Sequence, residues 1–284
     1  MIGPVGFPAL DGYRLAGILF RPETPIGRAV LINSATGVRQ EFYAKFAAFL
    51  LERGFTVLTY DYRGIGQSLR GPLQALRDAR MRDWGRLDAG GALEFLEHVA
   101  PGEALVAVGH SFGGQAFGLM PGSERISAAL AVGSQSGYWK HWPLLHRHAF
   151  WMMVRVLIPA TTSLAGYCPS TLLGLGENLP AGVGLEWARW CRHPGYHLGV
   201  LGDEVRPGFA AFRGRLRACW IDDDWFAPRA AVQAFLGFYP NARAELAPVR
   251  RRETGIGAIG HFGFFREKSR GTLWADAADW LARD

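Results

Sequence analysis

An α/β protein with a mostly parallel sheet, helices on both faces and one inserted helical cap is what the sequence predicts. Three observations predict it. Short apolar runs alternate with amphipathic stretches toward both ends of the chain. A Gly-x-Ser-x-Gly pentapeptide, residues 109–113, directly follows one of those runs. Residues 134–207 interrupt the rhythm and contain no clear strand pattern. Strand–helix alternation implies parallel strands joined by right-handed crossovers. The predicted core is therefore residues 1–133 and 208–284, with 134–207 inserted as a cap.

Composition sets the outer limits. The chain has 284 residues, 49% of them hydrophobic and 20% charged. That excludes a disordered chain, a collagen-like repeat and a disulfide scaffold. Three cysteines (Cys168, Cys191, Cys219) show no CxxC spacing, so neither a zinc site nor a disulfide framework is expected. Net charge is +6 and arginine carries most of it, since only 3 of the 31 basic residues are lysines. The one dense basic run, Arg250-Arg251-Arg252, is too short for a nucleic-acid arm. No secretory pattern opens the chain and no run of 18 apolar residues occurs, so a cytoplasmic protein without a spanning segment is expected.

Taken in order, Asp11-Gly12 between two extended stretches reads as a hairpin turn. Residues 29–33 (AVLIN), 56–60 (TVLTY), 105–109 (LVAVG) and 128–132 (AALAV) read as strands covered on both faces. Between them, 41–53 reads as a helix with Phe42, Phe46, Phe49 and Leu50 on one side, closed by Gly54. Residues 87–99 read as a weaker helix with Leu93 and Leu96 inward, and 113–120 as a short one. The rhythm resumes with a strand at 217–221, a helix at 228–238 and a last strand at 245–249. Leu273, Ala277, Trp280 and Leu281 mark the final helix. The cap holds five of the ten tryptophans (Trp139, Trp142, Trp151, Trp187, Trp190) and five of the eight histidines. Its apolar stretch 149–158 is expected to pack within the cap, because Arg155 interrupts it.

The serine has the setting its motif requires. A serine in a very tight strand-to-helix turn sits in a strained backbone conformation, and its neighbours two positions away must lack side chains. In Gly109-His110-Ser111-Phe112-Gly113 the turn would lift the Ser111 hydroxyl above the sheet. It would also aim the Phe112 N–H at the same point, with a helix N-terminus behind it.

A serine hydroxyl needs a base, and the base needs a carboxylate to hold its tautomer. The candidate acids after Ser111 are Asp222, Asp223 and Asp224, at the carboxyl end of the 217–221 strand where ligands bind in open α/β sheets. Asp224 is favoured. The candidate base is His261, the one histidine C-terminal to that cluster, among glycines and aromatic residues. His110 would point away from the nucleophile. His141, His146, His148, His193 and His197 fall in the cap with packing or surface roles, and no carboxylate accompanies His146 and His148 at metal-ligand spacing. A second oxyanion donor is expected from the loop Asn33-Ser34-Ala35-Thr36-Gly37, with the Ala35 N–H nominated and Thr36 next.

These stretches together resemble the α/β-hydrolase superfamily, most closely its serine aminopeptidase (S33-like) and monoacylglycerol-lipase branches. Asn33 to Gly37 stands where the family often has His-Gly-x-Gly, a departure at Asn33 and Ser34. Asp61-Tyr62-Arg63-Gly64-Ile65-Gly66-Gln67-Ser68 matches the family's Asp-x-Arg-Gly-x-Gly-x-Ser loop. Gly109 to Gly113 matches the nucleophile turn, Asp224-Trp225-Phe226-Ala227-Pro228 the acid loop, and Gly260-His261-Phe262 the histidine loop. The resemblance implies an Asp61–Ser68 loop shaping the floor of the site and a cap that sets substrate choice.

Residues and resemblance agree on acyl transfer through Ser111, with His261 as base, Asp224 as its partner, and no cofactor. The Trp-rich, weakly charged cap suits a small-molecule ester with a hydrophobic acyl or alcohol part; packing of the cap onto the core accounts for the same tryptophans equally well. Thr36, Trp139, Trp187 and Trp225 are the candidate substrate contacts. A thioesterase, an acyltransferase, a peptidase or a non-catalytic binding protein would show the same motifs.

Overall fold

A computed structural model of the chain describes residues 1–174 and 176–283, with the side chain of residue 173 left aside. Eight strands form one sheet: β1 (Ile2–Pro8), β2 (Arg14–Phe20), β3 (Arg28–Asn33), β4 (Thr56–Tyr60), β5 (Ala104–His110), β6 (Ala128–Val132), β9 (Arg215–Ile221) and β10 (Arg243–Val249). β7 (Tyr167–Cys168) and β8 (Leu179–Pro180) form a separate two-stranded ladder. The order across the large sheet is β1-β2-β4-β3-β5-β6-β9-β10. β1 and β2 run antiparallel as a hairpin and β2 pairs antiparallel with β4. The other six strands are mutually parallel.

The central strands alternate between two apolar layers, as a sheet covered on both sides must. Leu31, Leu58, Ala107 and Ala129 point into one layer with the helices Ala89–Val99 and Phe112–Leu119. Val30, Ile32, Val57, Val106, Val108, Leu130 and Val132 point into the other, with the helices Ala44–Glu52 and Ala275–Ala282. Since β3 and β5 are neighbours, the loop after Asn33 and the turn at Ser111 come out at the same sheet edge.

Two differences from the sequence reading have physical causes. The helix expected at 87–99 begins at Met81 and passes through a π turn at Trp84–Asp88. The wider turn faces both Trp84 and Asp88 inward. Trp84 stacks on Tyr62 at 4.9 Å, and Asp88 meets the Arg63 guanidinium at 2.6 Å. A buried carboxylate inside an apolar stretch weakens the helical pattern, which is why the sequence shows so little of this helix. The second difference is the β7–β8 ladder, inside a segment expected to hold no strand. With two residues per strand it is too short to show a period of two. Toward residue 208 the chain packs back on the core. A Cβ at Gly118 would lie 2.2 Å from the Phe209 ring, so helix Arg206–Ala211 sits against helix Phe112–Leu119.

His197 seals this contact. It is fully buried among Trp190, Phe209 and Phe238, with ring centroids 5.6, 4.9 and 4.7 Å away. Neither ring nitrogen has a hydrogen-bond partner, and burial pushes its pKa down to about 3. The unfolded chain therefore binds a proton at this histidine between pH 6.5 and about 3 that the folded chain refuses. This contribution to stability is whole above pH 6.5 and is lost as pH falls below it. His197→Phe should match the wild type or exceed it at pH 7.5. Its advantage should grow by about 1.4 kcal/mol on going to pH 5.5, read as urea midpoints at both pH values. An equal gap at the two pH values would contradict this.

Among the described residues no helix is long and apolar enough to cross a membrane.

Candidate active site

Ser111 has φ 53° and ψ −116°, one of two non-glycine residues with positive φ among the described residues. The flanking glycines make the turn possible. A Cβ at Gly109 would lie 2.3 Å from the Gly114 nitrogen, and one at Gly113 2.1 Å from the Asn33 carbonyl oxygen. Any side chain at either position would drive the strand and the helix apart. Phe112 opens the helix Phe112–Leu119, where a first-turn N–H has no intrahelical acceptor.

His261 and Asp224 come together. Nδ1–H of His261 donates to Asp224 Oδ2 at 2.7 Å. Asp224 Oδ1 accepts from the Phe226 and Ala227 N–H groups at 2.8 and 3.2 Å, which prevents rotation of the carboxylate. Gly133 makes room, since a Cβ there would lie 3.0 Å from Asp224 Oδ2 and 3.2 Å from His261 Nδ1. With Nδ1–H occupied, Nε2 is the basic nitrogen of His261. The three aspartates divide the labour. Asp222 accepts from the Arg251 N–H. Asp223 accepts from Ile259 and Gly260 at 2.9 and 2.8 Å and so holds the histidine loop. Only Asp224 meets the imidazole.

The expectation for Ala35 needs correction. Its N–H donates to Tyr43 Oη at 2.9 Å, so it is not free to receive an oxyanion. Tyr43 Oη–H in turn donates to His110 Nδ1 at 2.8 Å, and His110 Nε2–H donates to the His261 carbonyl at 2.8 Å. This chain of bonds requires a neutral His110, and burial holds its pKa well below the usual histidine value. His110 thus points away from the nucleophile, as the sequence suggested. It links the loop after β3 to the histidine loop, a role no motif announces. Among the described residues no hydrogen bond occupies the Thr36 N–H, which lies next in the same loop.

Tyr43→Phe would leave the Ala35 N–H and the His110 Nδ1 unsatisfied in a buried site. A stability loss of about 1–3 kcal/mol is expected by chemical denaturation.

Asn33 also accounts for its departure from the common His. Its Nδ2 donates to the Gly113 carbonyl at 3.3 Å, and its Oδ1 accepts from Tyr60 at 2.7 Å. The amide therefore ties the β3 end to the helix behind Ser111.

Ser111 and His261 open on one cleft. Ala35, Thr36 and Phe112 line it from the core, and Trp187 lines it from the insertion, with Ile158, Cys168 and Leu179 beside it. Of the four expected substrate contacts, Thr36 and Trp187 lie on the cleft and Trp139 and Trp225 do not. Trp139 packs against Trp151 at 6.5 Å, and Trp225 is turned outward, half exposed. Phe226, one residue further on, and Phe262 take the wall positions instead. Gln115 and Gln135 also line the cleft and were not foreseen, since a lone glutamine in a sequence carries no pattern.

The Asp61–Ser68 loop, expected to shape the floor of the site, does not line the cleft. Asp61 accepts from the Gln40 and Gln67 N–H groups at 2.8 and 2.9 Å, and burial pushes its pKa up to about 6. Arg63 binds Asp88 and, in a two-pronged contact at 2.7 and 2.8 Å, Asp11. The loop is a brace. Gly66 N–H donates to Glu177 Oε2 at 2.8 Å, and Glu177 N–H donates to the Gly37 carbonyl at 2.7 Å. The insertion is thereby tied both to the brace and to the loop after β3.

Known proteins place this arrangement. The curated relative polyketide transferase af380 of Aspergillus fumigatus is 26% identical over 189 residues, 64% of this chain. The match spans 62% of that protein's length. Esterase EaEST from Exiguobacterium antarcticum superposes with a TM-score of 0.65 at 15% identity, covering 98% of this chain and 99% of that one. The alpha/beta hydrolase GrgF from Penicillium sp. sh18 superposes at 0.63 with 18% identity, covering 99% and 98%. At such identities the likeness speaks for the fold alone. The sequence model of the Alpha/beta hydrolase family matches residues 29–280, from β3 to the last helix, and the chain belongs to that family.

Proposed function

We propose that the protein is a serine hydrolase that cleaves an apolar ester through an acyl-enzyme on Ser111. The observation that carries this reading is the His261–Asp224 pair at 2.7 Å, opening on the same cleft as a serine held in a strained turn. Strain of this kind persists only where the surroundings enforce it, and it gathers at reactive sites. Ser111 Oγ attacks the ester carbonyl carbon while His261 Nε2 takes its proton. The Phe112 and Thr36 N–H groups receive the negative oxygen. The intermediate collapses, the bond to the alcohol oxygen breaks, and His261 returns the proton to that oxygen. Water, deprotonated by His261, then attacks the acyl carbon, and the acid leaves as Ser111 recovers its proton.

The insertion acts as the cap that shapes the substrate. Ile158, Cys168, Leu179 and Trp187 make an apolar wall facing Phe226 and Phe262, which favours a hydrophobic acyl or alcohol group. A fluorophosphonate probe tests the reading directly. Wild type should be labelled and should hydrolyse p-nitrophenyl butyrate, and Ser111→Ala should do neither. A folded wild type that takes no label would overturn it. A second reading, transfer of the acyl group to an alcohol in place of water, draws support from the relative named a polyketide transferase. Ester formation on adding alcohols to the same assay distinguishes the two.

A further inference from the structure

Helix Leu144–Met152, the π turn Met153–Leu157 and helix Ile158–Ala165 run end to end along the insertion. Their inner face is apolar and covered, with Phe150, Val154 and Ile158 buried at a spacing of four. Their outer face is apolar as well, and it lies open. Leu145, Met152, Val156 and Leu164 are 87%, 49%, 46% and 89% exposed. A helix apolar on both sides is expected to be covered on both, and a contiguous open patch marks an interaction site.

Along the segment that carries this face the charge is of one sign. Residues 125–176 contain no aspartate or glutamate, and Lys140, Arg147 and Arg155 lie within that stretch. Among the described residues none of the three has a carboxylate partner. Several surface arginines elsewhere do have one, as in Arg82 with Glu204, Arg125 with Glu97 and Arg217 with Asp276. Lys140 lies over the Trp139 ring at 5.4 Å, and Arg155 over Trp151 at 5.8 Å. Arg155, which interrupts the apolar run in the sequence, thus sits at the edge of the face with its stem against an indole. Apolar side chains bordered by cations on aromatic supports are the pattern of a helix lying in a membrane interface.

We propose that the outer face of residues 144–165 docks on an anionic lipid surface. A protein partner of this chemistry would have to present both an apolar groove and a ring of acids, whereas an anionic bilayer supplies both at once. Ile158, on the inner face of the same helices, lines the cleft. Docking would therefore bring the cap side of the cleft to the phase where apolar esters collect. That last consequence rests on the proposed function; the docking itself does not.

Co-sedimentation with vesicles tests it. Wild type should bind phosphatidylcholine vesicles containing phosphatidylglycerol about 10-fold more than phosphatidylcholine alone, and added salt should weaken the binding. Leu145→Glu/Met152→Glu/Val156→Glu should abolish binding, with melting temperature unchanged because all three side chains are exposed. Lys140→Gln/Arg155→Gln should remove the anionic preference. Ser111→Ala should bind like wild type, which separates a failure of docking from a failure of the proposed chemistry. A wild type that stays in the supernatant with both vesicle types overturns the proposal. So does a concentration-dependent dimer in size exclusion that the triple variant dissolves without any vesicle binding, since the face would then be a contact between two copies of this chain.

Discussion

His261→Ala should lower turnover of a p-nitrophenyl ester by about 10⁴-fold or more, with little change in KM. The ring is the one group on the cleft whose second nitrogen is held by a carboxylate, so no neighbour can replace it. Asp224→Asn should cost about as much, because an amide cannot hold the tautomer that leaves Nε2 basic. Asp223→Ala separates the roles of adjacent acids. Asp223 touches no ring atom and holds only the Ile259 and Gly260 N–H groups. Its loss should loosen the histidine loop and cost about 10–100-fold, the scale of one or two charge-assisted hydrogen bonds. Steady-state kinetics on the three variants decides the matter. A larger loss for Asp223→Ala than for Asp224→Asn would reverse the assignment.

Arg63→Met should destabilise the protein by about 3–5 kcal/mol, the cost of stranding one partner of a buried ion pair. Asp88 is fully buried, and its carboxylate meets the Arg63 guanidinium at 2.6 Å. Burial pushes the Asp88 pKa up, and Arg63 opposes that shift. Without the guanidinium the opposition is gone. The folded state then holds a proton that the unfolded state releases above pH 3.8, so stability falls as pH rises toward the folded value. The gap between variant and wild type should therefore widen from pH 5 to pH 8. Thermal unfolding at both pH values reads it, with a shift of about 10 °C expected for a chain of this size. Arg63→Met/Asp88→Leu should recover much of the loss, since an apolar replacement of both partners leaves no stranded charge. Neither residue lines the cleft, so the folded double variant should keep its turnover.

Much of the molecule is legible in the sequence because strands buried on both faces must be apolar throughout. The runs at 29–33, 56–60 and 128–132 reappear as strands almost to the residue. The nucleophile turn is legible for a related reason, since two glycines are needed where a Cβ would lie within 2.3 Å of backbone. Aromatic side chains carry no such constraint. Trp139 and Trp225 share the type a substrate wall uses yet face elsewhere, while Phe226 and Phe262 line the cleft. Of the three π turns among the described residues, those at 84–88 and 153–157 shift helix faces by part of a turn, so the apolar period loses its phase there. The position of the Ala35 N–H in its loop is legible, but its orientation toward Tyr43 depends on a ring eight residues away.

Local pattern determined which segments become strands, where the reactive serine sits, and in what order acid and base follow. Those properties depend on neighbours within a few residues, and composition and spacing encode them. Tertiary structure alone decided which loop amide is left open, what the neighbouring Asp222 and Asp223 hold, and which face of the insertion stays uncovered. Each of these is a choice between nearly equivalent groups, made by a hydrogen-bond partner or a packing surface brought from elsewhere in the chain.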